Sequence, residues 1–301
     1  MPSPRLAARA ALLFASLTWG ATFVVVQRAI EDLAVLHLLA LRFALGAALL
    51  LPLLARRGGL SALRAAARDG VLIGVVLFAG YAFQTYGLLW TTPSRSAFLT
   101  GLSVLFVPAI GWAAGTARVR PATLAGTVAA AAGLWVLFRP FAGEAAAGFN
   151  RGDALTIGCA VAYAGHVLMV ERAVARHRVT PLAVVQFLVV AALAAPALVL
   201  DPPTRSAFTP AAVGAVLVTG VLATAVAFAC QLYAQRRLAA TEVAVVLTLE
   251  PVAALATSVL VGREQLTLGL LAGGGLIVAG MLLAELAAPP PEPAPAATPR
   301  S

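Results

Sequence analysis

Apolar residues run along this chain in blocks of about twenty, parted by short stretches of arginine, glycine and proline. About 20 consecutive apolar residues suffice to cross a bilayer as a helix. The blocks predict ten transmembrane helices, at residues 8–29, 34–55, 70–90, 96–115, 121–139, 153–171, 181–200, 211–234, 242–261 and 267–286. A proline-rich stretch, 287–301, predicts a disordered or polyproline-like tail. The first block follows Arg5 and Arg9 as a signal peptide would. It runs on to Ile30 and has a counterpart later in the chain, so it reads as a retained helix.

The polar and turn-forming positions inside the blocks repeat. Arg42-Phe43 and Pro52 recur as Gln186-Phe187 and Pro196, at an offset of 144. Gln84 and Tyr86 recur as Gln231 and Tyr233, and Gly126 and Gly133 as Gly273 and Gly280, at an offset of 147. In that register Trp19 matches Tyr163, Thr22 matches His166 and Ser103 matches Glu250. The two copies, 8–140 and 150–286, each hold five blocks. Five is odd, so the second copy enters the membrane from the opposite side. The predicted fold is all-α: two inverted five-helix repeats around a central cavity, the plan of secondary carriers with a midplane site.

Arginine placement orients the chain. Arg5, Arg9, Arg56, Arg57, Arg64, Arg68, Arg118, Arg120, Arg172, Arg176, Arg178, Arg236, Arg237 and Arg300 fall on one side. Only Arg28, Arg95, Arg139, Arg151, Arg205 and Arg263 fall on the other. This predicts both termini in the cytoplasm and a multi-pass protein of the inner membrane.

Composition agrees: 61% hydrophobic, 11% charged and a mean hydropathy of +0.95, where soluble domains are about 25% charged. The net charge of +9 does not point to nucleic acid, because the arginines are scattered over short loops. No phosphate loop, zinc-protease or nucleophile-elbow motif is present. That leaves no sign of an ATP-driven pump or a membrane enzyme, and no cofactor or metal is expected. Cys159 and Cys230 lie in apolar blocks and read as small buried hydrophobes.

Polar side chains at membrane depth face a cavity or a partner. One face of the third block carries Phe78, Tyr81, Gln84 and Thr85; the eighth carries Thr224, Phe228, Gln231 and Gln235. With Trp19 and Phe23, Thr100 and Ser103, and Tyr163 and His166, these compose an aromatic cavity with a few amides and hydroxyls. Glu250 is the acidic residue well inside a block; it reads as a ligand for an ammonium group, a proton carrier, or half of a structural pair with Arg42. Arg42 and Gln186 read as helix-pairing groups, and Pro52, Pro108, Pro196 and Pro251 as candidate kinks. The small residues of the fifth and tenth blocks suit close packing at the periphery, with a monomer or weak dimer expected.

Several of these segments resemble the EamA-type ten-helix exporters of the drug/metabolite transporter superfamily. The segments are Trp19-Gly20-Ala21-Thr22-Phe23, Arg42-Phe43, Ser96-Ala97-Phe98-Leu99-Thr100-Gly101-Leu102, and Leu249-Glu250-Pro251-Val252-Ala253-Ala254 followed by Gly262 and Glu264. The chain departs from the pattern at Gly115-Thr116-Ala117, where relatives keep Gly-Glu, and at Ser103-Val104, where relatives place a proline. The resemblance implies export of amino acids or related small metabolites, with efflux of cationic drugs as the alternative.

Overall fold

The computed structural model describes residues 3–56, 59–115, 121–137, 148–201, 206–238, 243 and 246–286. Among them every regular element is a helix: α1 Pro4–Asp32, α2 Val35–Ala55, α3 Gly59–Gly87, α4 Pro93–Gly101, α5 Ser103–Ala113, α6 Pro121–Leu137, α7 Arg151–Val174, α8 Val179–Ala194, α9 Ala197–Leu200, α10 Pro210–Val218, α11 Ala227–Gln235, α12 Leu249–Leu260 and α13 Leu268–Leu286. A π-helical stretch, Thr219–Val226, joins α10 to α11 without a break. Among the described residues, six helical segments are long and apolar enough to cross a membrane: Pro4–Asp32, Val35–Ala55, Pro93–Ala113, Arg151–Val174, Val179–Leu200 and Pro210–Gln235. Pro121–Leu137, Leu249–Leu260 and Leu268–Ala284 are shorter apolar helices. The 287–301 tail and residues 239–242 lie outside the described residues.

Local sequence sets the helix starts. Ser3-Pro4, Thr92-Pro93 and Thr209-Pro210 each place a hydroxyl at the N-cap and a proline in the first turn, where its missing N–H costs nothing. The Thr209 hydroxyl accepts from the Ala212 N–H at 3.1 Å. Helix α7 opens on a capping box. The Asn150 side chain accepts from the Asp153 N–H, and Asp153 accepts from the Asn150 N–H at 2.8 Å.

The structure redraws the start of α3 and the breaks within the spans. Helix α3 begins at Gly59 rather than near 70, because Ser61–Asp69 is rich in alanine, the best helix former. The fourth span is interrupted at Leu102, ahead of the expected kink at Pro108, which sits inside α5. Pro251 lies in the first turn of α12, three residues past the interruption at Thr248 that parts this helix from helical Val246 and Leu247. Pro52 stays within α2, whereas Pro196 does separate α8 from α9.

Helix α2 packs on α8, α3 on α7 and α8, α1 on α12 and α11, and α6 on α13. The largest apolar cluster centres on Phe43, Leu77, Tyr81, Leu182, Phe187 and Phe228. The rings of Phe43 and Phe187 meet edge to face at 5.7 Å. Helices α6 and α13 touch through glycine. A Cβ on Gly126 would stand 2.4 Å from the Gly280 carbonyl oxygen, and one on Gly133 would stand 2.6 Å from that of Gly273. Trp112, Val128, Trp135, Leu217 and Leu268 are exposed, as lipid-facing residues are.

Candidate central cavity

Helices α1, α3, α4, α5, α7, α11 and α12, with Arg42 of α2, enclose a cavity of about 90 Å³. That is room for several waters at roughly 10–15 Å³ each. Aromatic rings form much of its wall. Trp19 and Phe228 lie at 5.2 Å, Tyr81 and Tyr163 at 5.6 Å, and His166 and Phe228 at 6.2 Å between centroids. Edge-to-face contacts of this kind fix ring orientation.

Polar groups anchor the wall at defined points. The Trp19 indole N–H donates to the Ala223 carbonyl at 2.8 Å, inside the π-helical stretch. Such stretches are uncommon and recur at functional sites. Gly46 and Gly220 let α2 approach this stretch: a Cβ on Gly46 would stand 2.6 Å from the Thr224 methyl. Arg42 reaches the cavity there. Its Nε donates to Thr224 Oγ1 at 3.2 Å, and its guanidinium lies 4.8 Å from the Tyr81 ring centroid, a cation–π contact. The Gln84 amide donates to the Thr100 hydroxyl at 3.2 Å, and His166 Nε2 pairs with Gln186 Oε1 at 3.0 Å.

Of the residues expected in the cavity, Trp19, Phe23, Tyr81, Gln84, Thr100, Ser103, Tyr163, His166, Phe228, Gln231 and Glu250 line it. Phe78 does not; it packs against the apolar cluster around Phe43. The lining stripe of α3 is Leu77, Tyr81 and Gln84, continued by Leu88 just past its end, and Phe78 is turned about 100° from Leu77. Thr22, Val26, Val104, Val167 and Leu247 complete the wall. Apart from Thr22, the counterpart of His166, their residue types carry no mark that separates them from packing positions.

Glu250 is half-buried at the cavity, in the first turn of α12, where a helix N-terminus favours negative charge. Gly20 brings α1 against its backbone: a Cβ there would stand 2.3 Å from the Glu250 carbonyl oxygen. The expected pair with Arg42 is not made; among the described residues no ion pair joins Glu250 to an arginine. Gln186 does pair helices, through His166, and Arg42 pairs α2 with the π-helical stretch. No group of three His, Cys, Asp or Glu side chains stands as a metal cage among the described residues.

Comparison with known proteins adds the family. The EamA-like transporter family matches residues 7–139 and again 150–286. The chain belongs to the EamA-like transporter family. It is 30% identical over 282 residues to an uncharacterized transporter of Archaeoglobus fulgidus, covering 94% of this chain and 87% of that one. A solved crystal structure shares the fold, with a TM-score of 0.72 at 24% identity, covering 93% of this chain and 96% of that one. The protein is thus a multi-pass membrane transporter.

For this EamA-like chain the structure separates the two acids of the Leu249–Glu264 segment. Glu250 faces the cavity. Glu264 Oε2 accepts from the Ser94 N–H at 3.1 Å and the Ser94 hydroxyl at 2.6 Å, and so caps α4. A second feature escaped the sequence reading. Arg95 and Asp153, assigned to loop and helix edge, form a buried bidentate bridge. Arg95 Nε donates to Asp153 Oδ1 at 2.7 Å and Nη2 to Oδ2 at 2.5 Å. Thr91 Oγ1 donates to the same carboxylate at 3.2 Å, and Gly148 accepts from the guanidinium at 2.9 Å.

Proposed function

We propose that the chain is a ten-helix, inverted-repeat secondary transporter of the inner membrane, with both termini cytoplasmic. It exports amino acids or related small metabolites by alternating access around the central cavity. The observation that carries this reading is who lines the cavity. Trp19 and Tyr163, Thr22 and His166, Phe23 and Val167, Tyr81 and Phe228, Gln84 and Gln231, Thr100 and Leu247, and Ser103 and Glu250 are repeat-related pairs, and both members of each line the wall. Two copies contributing equivalent positions to one site are what an inverted-repeat carrier requires.

The wall carries a guanidinium, a carboxylate, amides, hydroxyls and aromatic rings. That chemistry suits a small zwitterion with an apolar side chain: Arg42 for its carboxylate, Glu250 for its ammonium, and the rings for the remainder. A second reading, efflux of quaternary ammonium compounds, is favoured by Glu250 standing without an arginine partner among the described residues, in a cavity walled by aromatic rings.

Thermal stabilisation of the purified protein by a panel of amino acids and a quaternary ammonium dye tests this. A ligand of the folded state at 100 times its Kd adds about 2.7 kcal/mol. Stabilisation by an amino acid, lost in Tyr81→Ala, supports the first reading. Stabilisation by the dye alone, lost in Glu250→Gln, supports the second, and neither ligand acting overturns both.

A further inference from the structure

The side-chain carbonyl oxygen of Gln231 is buried and has no hydrogen-bond partner among the described residues. The residue is only 4% exposed, and it lines the central cavity three positions beyond Phe228 on α11. Among the described residues of the cavity wall, no other carries a buried side-chain nitrogen or oxygen left without a partner. An unpaired buried acceptor costs stability, and lipid offers no donor to relieve it.

The repeat register supplies a reason. The counterpart of Gln231 is Gln84, whose amide is tied to the Thr100 hydroxyl at 3.2 Å. Adding 147 to Thr100 gives Leu247, which also lines the cavity. Leucine has no polar side-chain atom, so the tether that holds Gln84 has no equivalent at Gln231. The second copy adds Glu250 to the same wall, where the first has Ser103. These two acceptors answer to different properties of one ligand nitrogen. A carboxylate attracts any cation, whereas an amide oxygen holds one that carries an N–H. A primary ammonium satisfies both. A quaternary ammonium has the charge and no N–H, so it would seal the Gln231 oxygen from water without replacing the lost bond. Sites built to hydrogen-bond a substrate reject analogues that lack the matching group for this reason.

Resting on the carrier reading above, we propose that Gln231 Oε1 accepts a hydrogen bond from the ammonium group of the substrate. The residue thereby selects primary and secondary ammonium compounds against quaternary ones, while Glu250 supplies the attraction for charge common to all of them.

Isothermal titration of the purified full chain tests it. The ligands are phenylalanine and methionine, each as the free amino acid and as its N-trimethyl betaine. Each pair shares its charge, carboxylate and side chain and differs in whether the nitrogen carries N–H groups. Wild type is expected to bind the free amino acid roughly 10–100-fold more tightly than the betaine, the worth of a hydrogen bond to a charged group. In Gln231→Leu the ratio is expected to collapse toward one, mainly through weaker binding of the free amino acid. Leucine is similar in size to glutamine, so a preference that came from the bulk of the methyl groups would survive the substitution. The empty variant is expected to melt at or above the wild-type temperature, because an unpaired buried polar group has been removed. A lower melting temperature assigns the amide a structural role and overturns the proposal. Equal binding of the two forms by wild type, or a ratio that persists in Gln231→Leu, overturns it while the amino-acid reading stands. Neither free amino acid binding, with or without the betaines, removes both.

Discussion

The Phe43 ring rests edge to face on the Phe187 ring at 5.7 Å, and the two residues occupy the same position in the two copies of the repeat, 144 residues apart. A residue touches its own counterpart only beside an axis that exchanges the copies. Helices α6 and α13 obey the same rule in reciprocal form. Gly126 meets Gly280, the counterpart of Gly133, while Gly133 meets Gly273, the counterpart of Gly126. In the proposed inverted repeat, the axis therefore runs between α2 and α8 and between α6 and α13.

Phe43 and Phe187 are both fully buried. Lipid is as apolar as a protein core, so the contact stabilises through packing more than through exclusion of water. Phe43→Ala and Phe187→Ala should each lower unfolding stability by about 3 kcal/mol. The double variant should lose less than the sum, because the shared contact is lost once. Denaturant unfolding of the purified protein in detergent measures all three.

The α6–α13 contact leaves no room for a side chain. Gly126→Ala should destabilise by about 1–3 kcal/mol, since the new methyl would overlap the Gly280 carbonyl. Gly275→Ala, on the same pair of helices but with nothing within 4 Å of its Cβ, should be neutral or slightly stabilising. Thermal melts of the two variants side by side give the comparison.

Trp19 holds two things at once, the Phe228 ring and the Ala223 carbonyl. Trp19→Phe keeps an aromatic wall and removes the hydrogen bond, so stability should fall by about 1 kcal/mol. Trp19→Ala removes both and should abolish transport while the protein still folds. Melting temperature and transport rate, measured on both variants, separate the wall from the tether.

The two cavity charges make opposite predictions. Arg42→Gln copies the residue the second repeat uses at Gln186, so the variant should fold and lose zwitterions whose carboxylate needs a cation. Glu250→Gln should retain binding of zwitterionic amino acids with an affinity loss of about tenfold or less, and should abolish binding of a quaternary ammonium dye. Titrating both ligand classes against both variants checks this.

Much of this was legible because the membrane sharpens the alphabet. A glutamine, arginine or glutamate inside an apolar block has to be accounted for, and most such residues do converge on one cavity. What the sequence hid was rotation and partnership. Phe78 and Leu77 differ by one residue, and the sequence groups the aromatic with Tyr81 and Gln84 where Leu77 in fact lines the cavity. The interruption at Leu102 falls on an ordinary leucine, with no proline at the break to mark it. Arg95 and Asp153 stand 58 residues apart at block edges where charge is commonplace, so no local pattern announced their bridge. The Arg42–Glu250 pair failed for the converse reason: two charges at similar depth were matched although Arg42 is occupied by Thr224 and the Tyr81 ring.

The most direct test of the central claim is counterflow in proteoliposomes. Vesicles holding the purified protein are loaded with unlabelled amino acids, and uptake of labelled methionine, threonine and phenylalanine is followed. The account predicts transient accumulation that requires the matching substrate inside and disappears in Tyr81→Ala. Uptake that ignores the internal substrate, or a steady conductance without exchange, would contradict it.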